Sequence, residues 1–342
     1  MREVTVLITA CGNVYMPGTT ASIRNNGERK IRLIGADMNH DDTILQMVDQ
    51  YYQVPRGDDP NYAKVLLDIC IKEHVDVVIP IMSAELVALA ENEEMFRKAG
   101  VTLSVSNLES LKIANNKLAL FEYMKANDIP VPKFWMVNSV EDVDAAIEHI
   151  GVPVVFKTTE GSGSRGMRII DPSKSRFDIL FHEKPTSAYV THQDFKETLQ
   201  EGDMPPMLAM EYLPGHEYTV DMLCDNGKVL YNMCRRGLNV QTSIILDGVV
   251  EDKPEITNLC ARVAEKLKLT GNIGFDVKER ADGTPVIMEC NPRATAGVSE
   301  FTASGVNLLY LNIKRCLGEP LPEVTPKYGV IMKRRYQEMY WG

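Results

Sequence analysis

Pro153-Val-Val-Phe-Lys157-Thr-Thr-Glu160-Gly161-Ser162-Gly163-Ser164-Arg165-Gly166-Met-Arg-Ile-Ile170 is the stretch whose reading decides the fold. Pro153 to Phe156 is a short β-branched apolar run, and Met167 to Ile170 resumes extended apolar character before Asp171-Pro172 ends it. The parse is strand, glycine loop, strand. The spacing Gly161-x-Gly163-x-x-Gly166 is that of a dinucleotide fingerprint, but that motif needs a helix after the loop, to hold a pyrophosphate at its N-terminus. Gly161 and Gly166 also have Walker spacing, yet Met167-Arg168 stand where the lysine and the Ser/Thr hydroxyl belong. What remains is a glycine loop between two antiparallel strands, where backbone without side chains approaches phosphate oxygens and offers N–H groups. Lys157 then lies on the incoming strand, aimed at phosphate. The alternative is a plain surface hairpin.

Working outward, 342 residues with 44% hydrophobic content can bury more than one core of ordinary domain size. A net charge of -10 argues against a protein that coats nucleic acid. Val4 to Ala10 is too short an apolar run for a signal peptide and reads as a buried first strand, and no run approaches membrane-spanning length. The seven cysteines are scattered, with no CxxC pair and no histidines at zinc spacing. A cytoplasmic protein with reduced thiols and neither nucleic acid nor membrane as partner is the expectation.

Residues 1–113 alternate strand and helix: Val4 to Thr9, Lys30 to Ala36 and Val75 to Pro80 read as strands, Tyr62 to Glu73 and Ala84 to Ala99 as helices. This predicts a parallel sheet covered by helices. Asp37 after the second strand has the position of a ribose-gripping acid, but the loop Ala10 to Gly18 lacks the glycine triplet and Pro17 interrupts the expected helix start. A substrate-side or purely structural domain is favoured over a dinucleotide site. Ser83-Ala-Glu85 either faces a cleft at the carboxyl edge of the sheet or caps a helix through Ser83. A helix over Asn115 to Asn127 carries Lys117, another spans Val140 to Ile150, and the polar stretch Asp171 to Pro206, without strong periodicity, reads as a mobile lid.

Two further stretches carry chemistry. Met207 to Glu211 is an apolar strand, turned at Pro214-Gly215 into a second strand bearing Glu217. Free backbone beyond Glu211, at Tyr212 and Leu213, suits the edge of adenine and Glu217 suits ribose hydroxyls; ordinary edge charges are the alternative. In Gly271 to Arg293, Asp282-Gly283 flanked by alternating residues marks a hairpin. Asp276 and Glu289 can meet across it, and Asn291, two beyond Glu289, projects from the same face. Two carboxylates and an amide oxygen form a hard-oxygen site suited to Mg2+ with phosphate and water completing the shell. A solvated acidic face is the other reading, less suited to Glu289 after Val286-Ile-Met288.

In their order along the chain these stretches resemble the ATP-grasp superfamily, and the resemblance covers most of the sequence. It implies an α/β N-terminal parallel-sheet (pre-ATP-grasp) domain over 1–113, then a two-lobed α+β ATP-grasp fold over 114–326 with a lid subdomain at about 133–207, and a C-terminal strand and tail over 327–342. Lys117 matches the basic nucleotide-phosphate contact, Lys157 the lid-strand lysine, and Gly161, Ser162, Gly163 and Ser164 the flexible loop over the phosphates. Glu211, Tyr212 and Leu213 fall at the adenine hinge, Glu217 at the ribose acid, and Asp276, Glu289 and Asn291 at the metal ligands. Arg293 matches the arginine that contacts the transferring phosphate or acyl-phosphate.

The resemblance implies ATP and Mg2+ (Mn2+ substituting) and a ligase that activates a carboxylate as its acyl-phosphate and joins it to an amine. The substrates are then a small carboxylate and an amine, and a homodimer is compatible with the pattern. The motifs look most like those of the carbamoyl-phosphate synthase large subunit and small carboxylate–amine ligases. The former is a long internal duplication, whereas one copy of the motif set stands here, and Asp276 replaces its usual glutamine. Carbamoyl-phosphate-synthase-like carboxyphosphate or carbamate kinase chemistry, or a non-catalytic ATP sensor or scaffold, are the alternatives. Arg235-Arg236, placed after a strand Val229 to Met233, either clamps a substrate carboxylate through Arg235 or divides between phosphate and solvent. Ala294 to Glu300 follows the metal residues as part of an acceptor pocket, and Tyr328 to Tyr340 closes the fold as an edge strand or supplies a second anion site.

Overall fold

The computed structural model describes residues 2–160, 165–241, 244–335, 338 and 340. Gly161, Ser162, Gly163 and Ser164, the centre of the glycine loop, lie outside them.

The first layer is a five-stranded parallel sheet built from β1 (Val4–Ile8), β2 (Ile31–Asp37), β3 (Gln50–Gln53), β4 (Val77–Ile79) and β5 (Thr102–Leu103), in the order β3-β2-β1-β4-β5. Both faces are covered, which is why β1 reads as a continuous apolar run. Val4, Val6 and Ile8 pack toward α1 (Met16–Arg24), while Leu7 packs toward α2 (Tyr62–Glu73) and α3 (Ser83–Glu91). Pro17 does not prevent α1: it sits in the first turn, where no intrahelical N–H is required, so the helix begins there. The helix expected over Ala84 to Ala99 is two, because Asn92 ends α3 and starts α4 (Glu93–Lys98). Asp37 accepts from the backbone N–H of Gly12 (2.9 Å) and Asn39 (2.9 Å), so it pins the loop after β1, in keeping with the structural reading.

Helices α5 (Leu108–Ala114) and α6 (Lys117–Ala126) lead into a four-stranded antiparallel sheet made of β6 (Phe134–Val137), β7 (Val154–Thr158), β8 (Arg168–Ile170) and β9 (Met207–Glu211), ordered β6-β9-β7-β8. Val154 and Phe156 pack under α7 (Asp142–Ile150) and α9 (His192–Leu199), and Val155 and Lys157 therefore face the other way. The stretch Asp171 to Pro206 is not devoid of structure. It forms α8 (Arg176–His182) and α9, each begun by a side-chain cap, Ser175 to the N–H of Asp178 and Thr191 to that of Asp194.

The third layer is a six-stranded antiparallel sheet. It comprises β10 (Glu217–Asp225), β11 (Lys228–Gln241), β12 (Ile244–Glu251), β13 (Gly271–Glu279), β14 (Pro285–Asn291) and β15 (Ile331–Lys333), in the order β14-β13-β10-β11-β12-β15. One face buries Tyr218, Val220, Phe275, Ile287 and Cys290 against α10 (Pro254–Lys266) and α6. At its far end the opposite face joins the first layer through Leu223, Met233, α11 (Ser299–Ala303) and α12 (Leu308–Cys316). Among the described residues of the strand expected over Tyr328 to Tyr340, Ile331–Lys333 is extended and pairs with β12 as an edge. Among the described residues no helix is long and apolar enough to cross a membrane.

Candidate active site between two antiparallel sheets

The face of the six-stranded sheet turned away from α10 collects the predicted polar residues by strand alternation. Thr219 pairs with Asp276 and Arg235, and Asp276 with Glu289, so these four stand in one row across β11, β10, β13 and β14. The next row holds Asp221, Gly274 and Asn291, and Glu217 with Lys278 lies on the other side. A β-bulge decides part of this. Asp276 pairs with Glu289 but Val277 pairs with Ile287, which leaves Met288 as the extra residue. Met288 and Glu289 therefore both address the cleft instead of alternating.

A cavity of about 470 Å³ lies between this face and the smaller sheet. Val155, Ile169, Met210 and Met288 make its apolar walls, Glu211 to Leu213 its hinge, and Lys157, Glu217 and Lys278 its polar end. Glu211 has its carboxylate committed: it accepts from Arg280 at 2.6 Å and from the Lys133 N–H at 3.0 Å. Both of these bonds fall on Oε1. Glu217 lies 4.0 Å from Lys278, and burial raises its carboxyl above the usual range against the pull of Lys278 and Lys157. Lys278 was not foreseen, although its place two residues beyond Asp276 on an alternating strand was the signal.

Lys117 opens α6, whose first turn is fixed by Asn116 accepting from Ala119 N–H and by Lys117 N–H donating to the Thr159 carbonyl at 3.0 Å. That brings Lys117 Nζ to 3.3 Å from Glu289 Oε1. Lys157 reaches the same end of the cleft from β7. Burial lowers its pKa from the ordinary lysine value, opposed by the Glu289, Asp276 and Glu217 charges and reinforced by Lys117.

Asp276 receives hydrogen bonds from Asn291 Nδ2 (3.1 Å) and Thr219 Oγ1 (3.3 Å), and Asn291 Oδ1 accepts from Arg293 Nη2 (3.0 Å). Burial, then the Glu289 and Glu217 charges, push the Asp276 carboxyl up to about 7. Among the described residues no group of three or more His, Cys, Asp or Glu is placed to hold a metal. Asp276 and Glu289 supply hard oxygen donors on one face, which fits a divalent cation that keeps water and phosphate in its shell; Asn291 would join them with its amide reversed, since its Nδ2 faces Asp276 and its Oδ1 faces Arg293.

Arg293 is tied to the first layer: its Nε lies 3.4 Å from Ser83 Oγ. Ser83 is thus turned toward Arg293 and is not the cap of α3, whose N-cap is Met82; Glu85 reaches back to accept from the N–H groups of Ile81 and Met82 (2.9 and 2.8 Å) and from Thr9 and Tyr62. Arg235 and Arg236 do not follow a strand but lie within β11, and alternation sends them to opposite faces. Arg236 pairs with Glu251 at 2.8 Å on the α10 side. Arg235 is on the cleft face, but only 3% exposed, with its guanidinium against Thr295.

A small lid sheet and a larger antiparallel sheet that hold a cleft between them, preceded by a parallel α/β layer, define the ATP-grasp fold. Residues 203–338 match the family model described as ATP-grasp in the biosynthetic pathway with Ter operon, and residues 6–104 match the PylC-like N-terminal domain. The carbamoyl phosphate synthase large chain of Clostridium acetobutylicum is 27% identical over 250 residues, 69% of this chain and 22% of that one. The chain thus spans about a fifth of the length of the curated relatives it matches. Two solved structures share the fold. The biotin carboxylase domain of Hydrogenobacter thermophilus 2-oxoglutarate carboxylase, in complex with MgADP, has a TM-score of 0.70 at 16% identity, covering 96% of this chain and 73% of that one. An L-amino acid ligase from Bacillus licheniformis has a TM-score of 0.68 at 16% identity, covering 94% and 76%. Residues 203–338 thus match an ATP-grasp family model, and the fold of the chain is the ATP-grasp fold.

Proposed function

We propose that the chain is an ATP-dependent ligase that activates a small carboxylate as its acyl-phosphate and joins it to an amine. The observation that carries this reading is a cluster of linked charges, Lys117 with Glu289, Asp276 with Asn291 and Asn291 with Arg293, which interacts with Lys157, the lysine at the polar end of an otherwise apolar cavity. Adenine fits between Val155, Met210 and Met288 with backbone at Glu211 to Leu213, and Glu217 suits ribose. Polyphosphate then runs toward the two lysines. Asp276, Glu289 and Asn291 would hold Mg2+, which when bound neutralises charge on the phosphate oxygens.

The reaction balances without a covalent enzyme intermediate. A carboxylate oxygen attacks the γ-phosphorus and the bond to ADP breaks; the amine then attacks the acyl carbon, inorganic phosphate leaves and the amine gives up a proton. Lys117, Lys157 and Arg293 stabilise charge on the migrating phosphoryl group. The cleft between the sheets restricts water that would hydrolyse the intermediate. Gly161, Ser162, Gly163 and Ser164 belong to this reading as the phosphate cover, on the strength of the sequence. Seven unpaired cysteines support a reducing, cytoplasmic setting.

The test is ADP and phosphate release with carboxylates and amines screened in pairs, bicarbonate included, and Glu289→Ala as control. Release that needs Mg2+, one carboxylate and one amine is the expected result. Release with bicarbonate alone would instead indicate carboxyphosphate chemistry, and MgATP binding without turnover on any carboxylate would indicate a sensor.

A further inference from the structure

The segment Ala294 to Gly297, just after Arg293, is held by side chains as well as by two backbone hydrogen bonds, Val298 N–H to Thr295 carbonyl (3.3 Å) and Glu300 N–H to Gly297 carbonyl (3.0 Å). Ala294 carbonyl accepts from Arg293 Nη1 (2.9 Å), Ala296 carbonyl from Arg334 Nη2 (2.6 Å), and Thr295 N–H donates to Asp221 Oδ1 (3.3 Å). Thr295 Oγ1 donates to Asp221 Oδ2 (2.8 Å) and accepts from Arg235 Nη2 (3.1 Å). The fit is tight. A Cβ on Gly297 would come within 1.9 Å of Arg235 Nη1, and one on Gly274 within 2.1 Å of Thr295 Cγ2. Arg235 therefore lies flat beneath the backbone of this segment, beside the Phe301 ring.

Hydrogen bonding alone does not account for the arrangement. Arg235 Nε and Nη1 are buried without a hydrogen-bond partner, and the buried Glu300 carboxylate, 4.0 Å away, has only the charges of Arg235 and Arg334 and the Met332 backbone to oppose its desolvation. Asp221 is 3.7 Å off, too far for a hydrogen bond. Ion clusters this poorly satisfied are retained at a cost in stability, and a buried polar group left unpaired calls for a functional explanation. Arg235 is 3% exposed beneath this segment, and neither it nor Arg293 lines the apolar cavity. Its route to the chemistry runs through the segment it supports, whose first residue anchors the Arg293 guanidinium.

We propose that Arg235 is a positioning residue: through Thr295 and the backbone of Gly297 it sets where Arg293 stands relative to Asn291 and the migrating phosphoryl group. This rests on the ligase reading for the role of Arg293. Misplacing such a group by about 1 Å can cost on the order of 100-fold in rate.

The experiment is a double-mutant cycle. Arg235→Lys, which loses the planar fork, and Gly297→Ala, which displaces the guanidinium without removing any functional group, are each made in the parent and in Arg293→Ala. ADP release, affinity for the ADP–Mg–aluminium fluoride complex and affinity for ADP alone are measured. The expectation for both variants is a loss of about 10- to 100-fold in kcat and in fluoride-complex affinity, unchanged ADP affinity, and less than about twofold further loss once Arg293 is alanine. Equal losses in both backgrounds, loss of ADP binding, or no loss at all would overturn the proposal. Where the parent releases no ADP with any carboxylate the ligase reading fails separately, and the fluoride complex alone decides the role of Arg235.

Discussion

Glu289→Gln separates two functions of one carboxylate by the sign of its effects. Glu289 Oε1 lies 3.3 Å from Lys117 Nζ, and its charge also supports the ammonium of Lys157. At an effective dielectric near 20, unit charges at that separation attract by about 5 kcal/mol. The Glu289 side chain is 27% exposed, so screening and desolvation leave roughly 1–2 kcal/mol of net attraction. Glutamine preserves shape and removes that counter-charge, freeing the lysines to attract polyphosphate. Metal-free ATP should then bind about 5- to 30-fold more tightly to the variant than to the parent. If Glu289 is a metal ligand as proposed, the same change removes its charge from the metal set, so Mg2+ should no longer strengthen nucleotide binding, and turnover should fall on the order of 100- to 1,000-fold. Calorimetric titration of ATP with Mg2+ and with EDTA, alongside ADP release, reads both terms. Unchanged affinity in EDTA would show that Glu289 does not neutralise the phosphate lysines, and undiminished dependence on Mg2+ would remove it from the metal set.

Three further outcomes follow from the same geometry. Arg236→Ala should leave kcat and KM within about threefold, because alternation places Arg236 opposite the cleft, where its partly exposed pair with Glu251 contributes less than about 1 kcal/mol; steady-state kinetics check this. Affinity for Mg2+ should weaken below pH 7, by up to about tenfold per unit, since the Asp276 carboxyl at about 7 must lose its proton to bind a cation, and Asp276→Asn should flatten that dependence; titration at pH 6 and 8 decides it. Asn312 is fully buried, donates to Ser104 Oγ (2.7 Å) and Asn272 Oδ1 (2.8 Å) and accepts from Arg315 Nε (3.1 Å), joining the first layer to β13. Asn312→Leu should lower stability by about 2–3 kcal/mol, visible in chemical denaturation, while nucleotide affinity in the folded protein stays the same.

What could be read from the sequence and what could not divides along local and non-local physics. The β-branched runs beside Gly161 and Gly166, the Asp282-Gly283 turn and the two-residue step from Glu289 to Asn291 are local signals, and the structure has the expected strands around each. The bulge at Met288 was not legible, because it exists only as a mismatch with β13: from β14 alone, Met288 and Glu289 should face opposite ways. Arg235 was placed past a strand end because Arg-Arg-Gly reads as a polar boundary, whereas pairing with both β10 and β12 carries β11 through it. The stretch Asp171 to Pro206 did contain its own correction. Ser175-Arg-Phe-Asp178 and Thr191-His-Gln-Asp194 each put a capping residue ahead of an acid three positions on, and both start helices. Such helices need little periodicity when, as in α8, no residue is buried; the caps then carry information that hydrophobic patterning lacks. The contact between Ser83 and Arg293 spans 210 residues of sequence, and only the packing of the first layer against the third creates it. The residues proposed to do the chemistry were therefore nameable where one hairpin or one helix presents them. Those that hold them in place, Arg235, Asp221, Thr295 and Ser83, emerge from contacts between separate elements, so substitutions there test the assembled site and not the motifs.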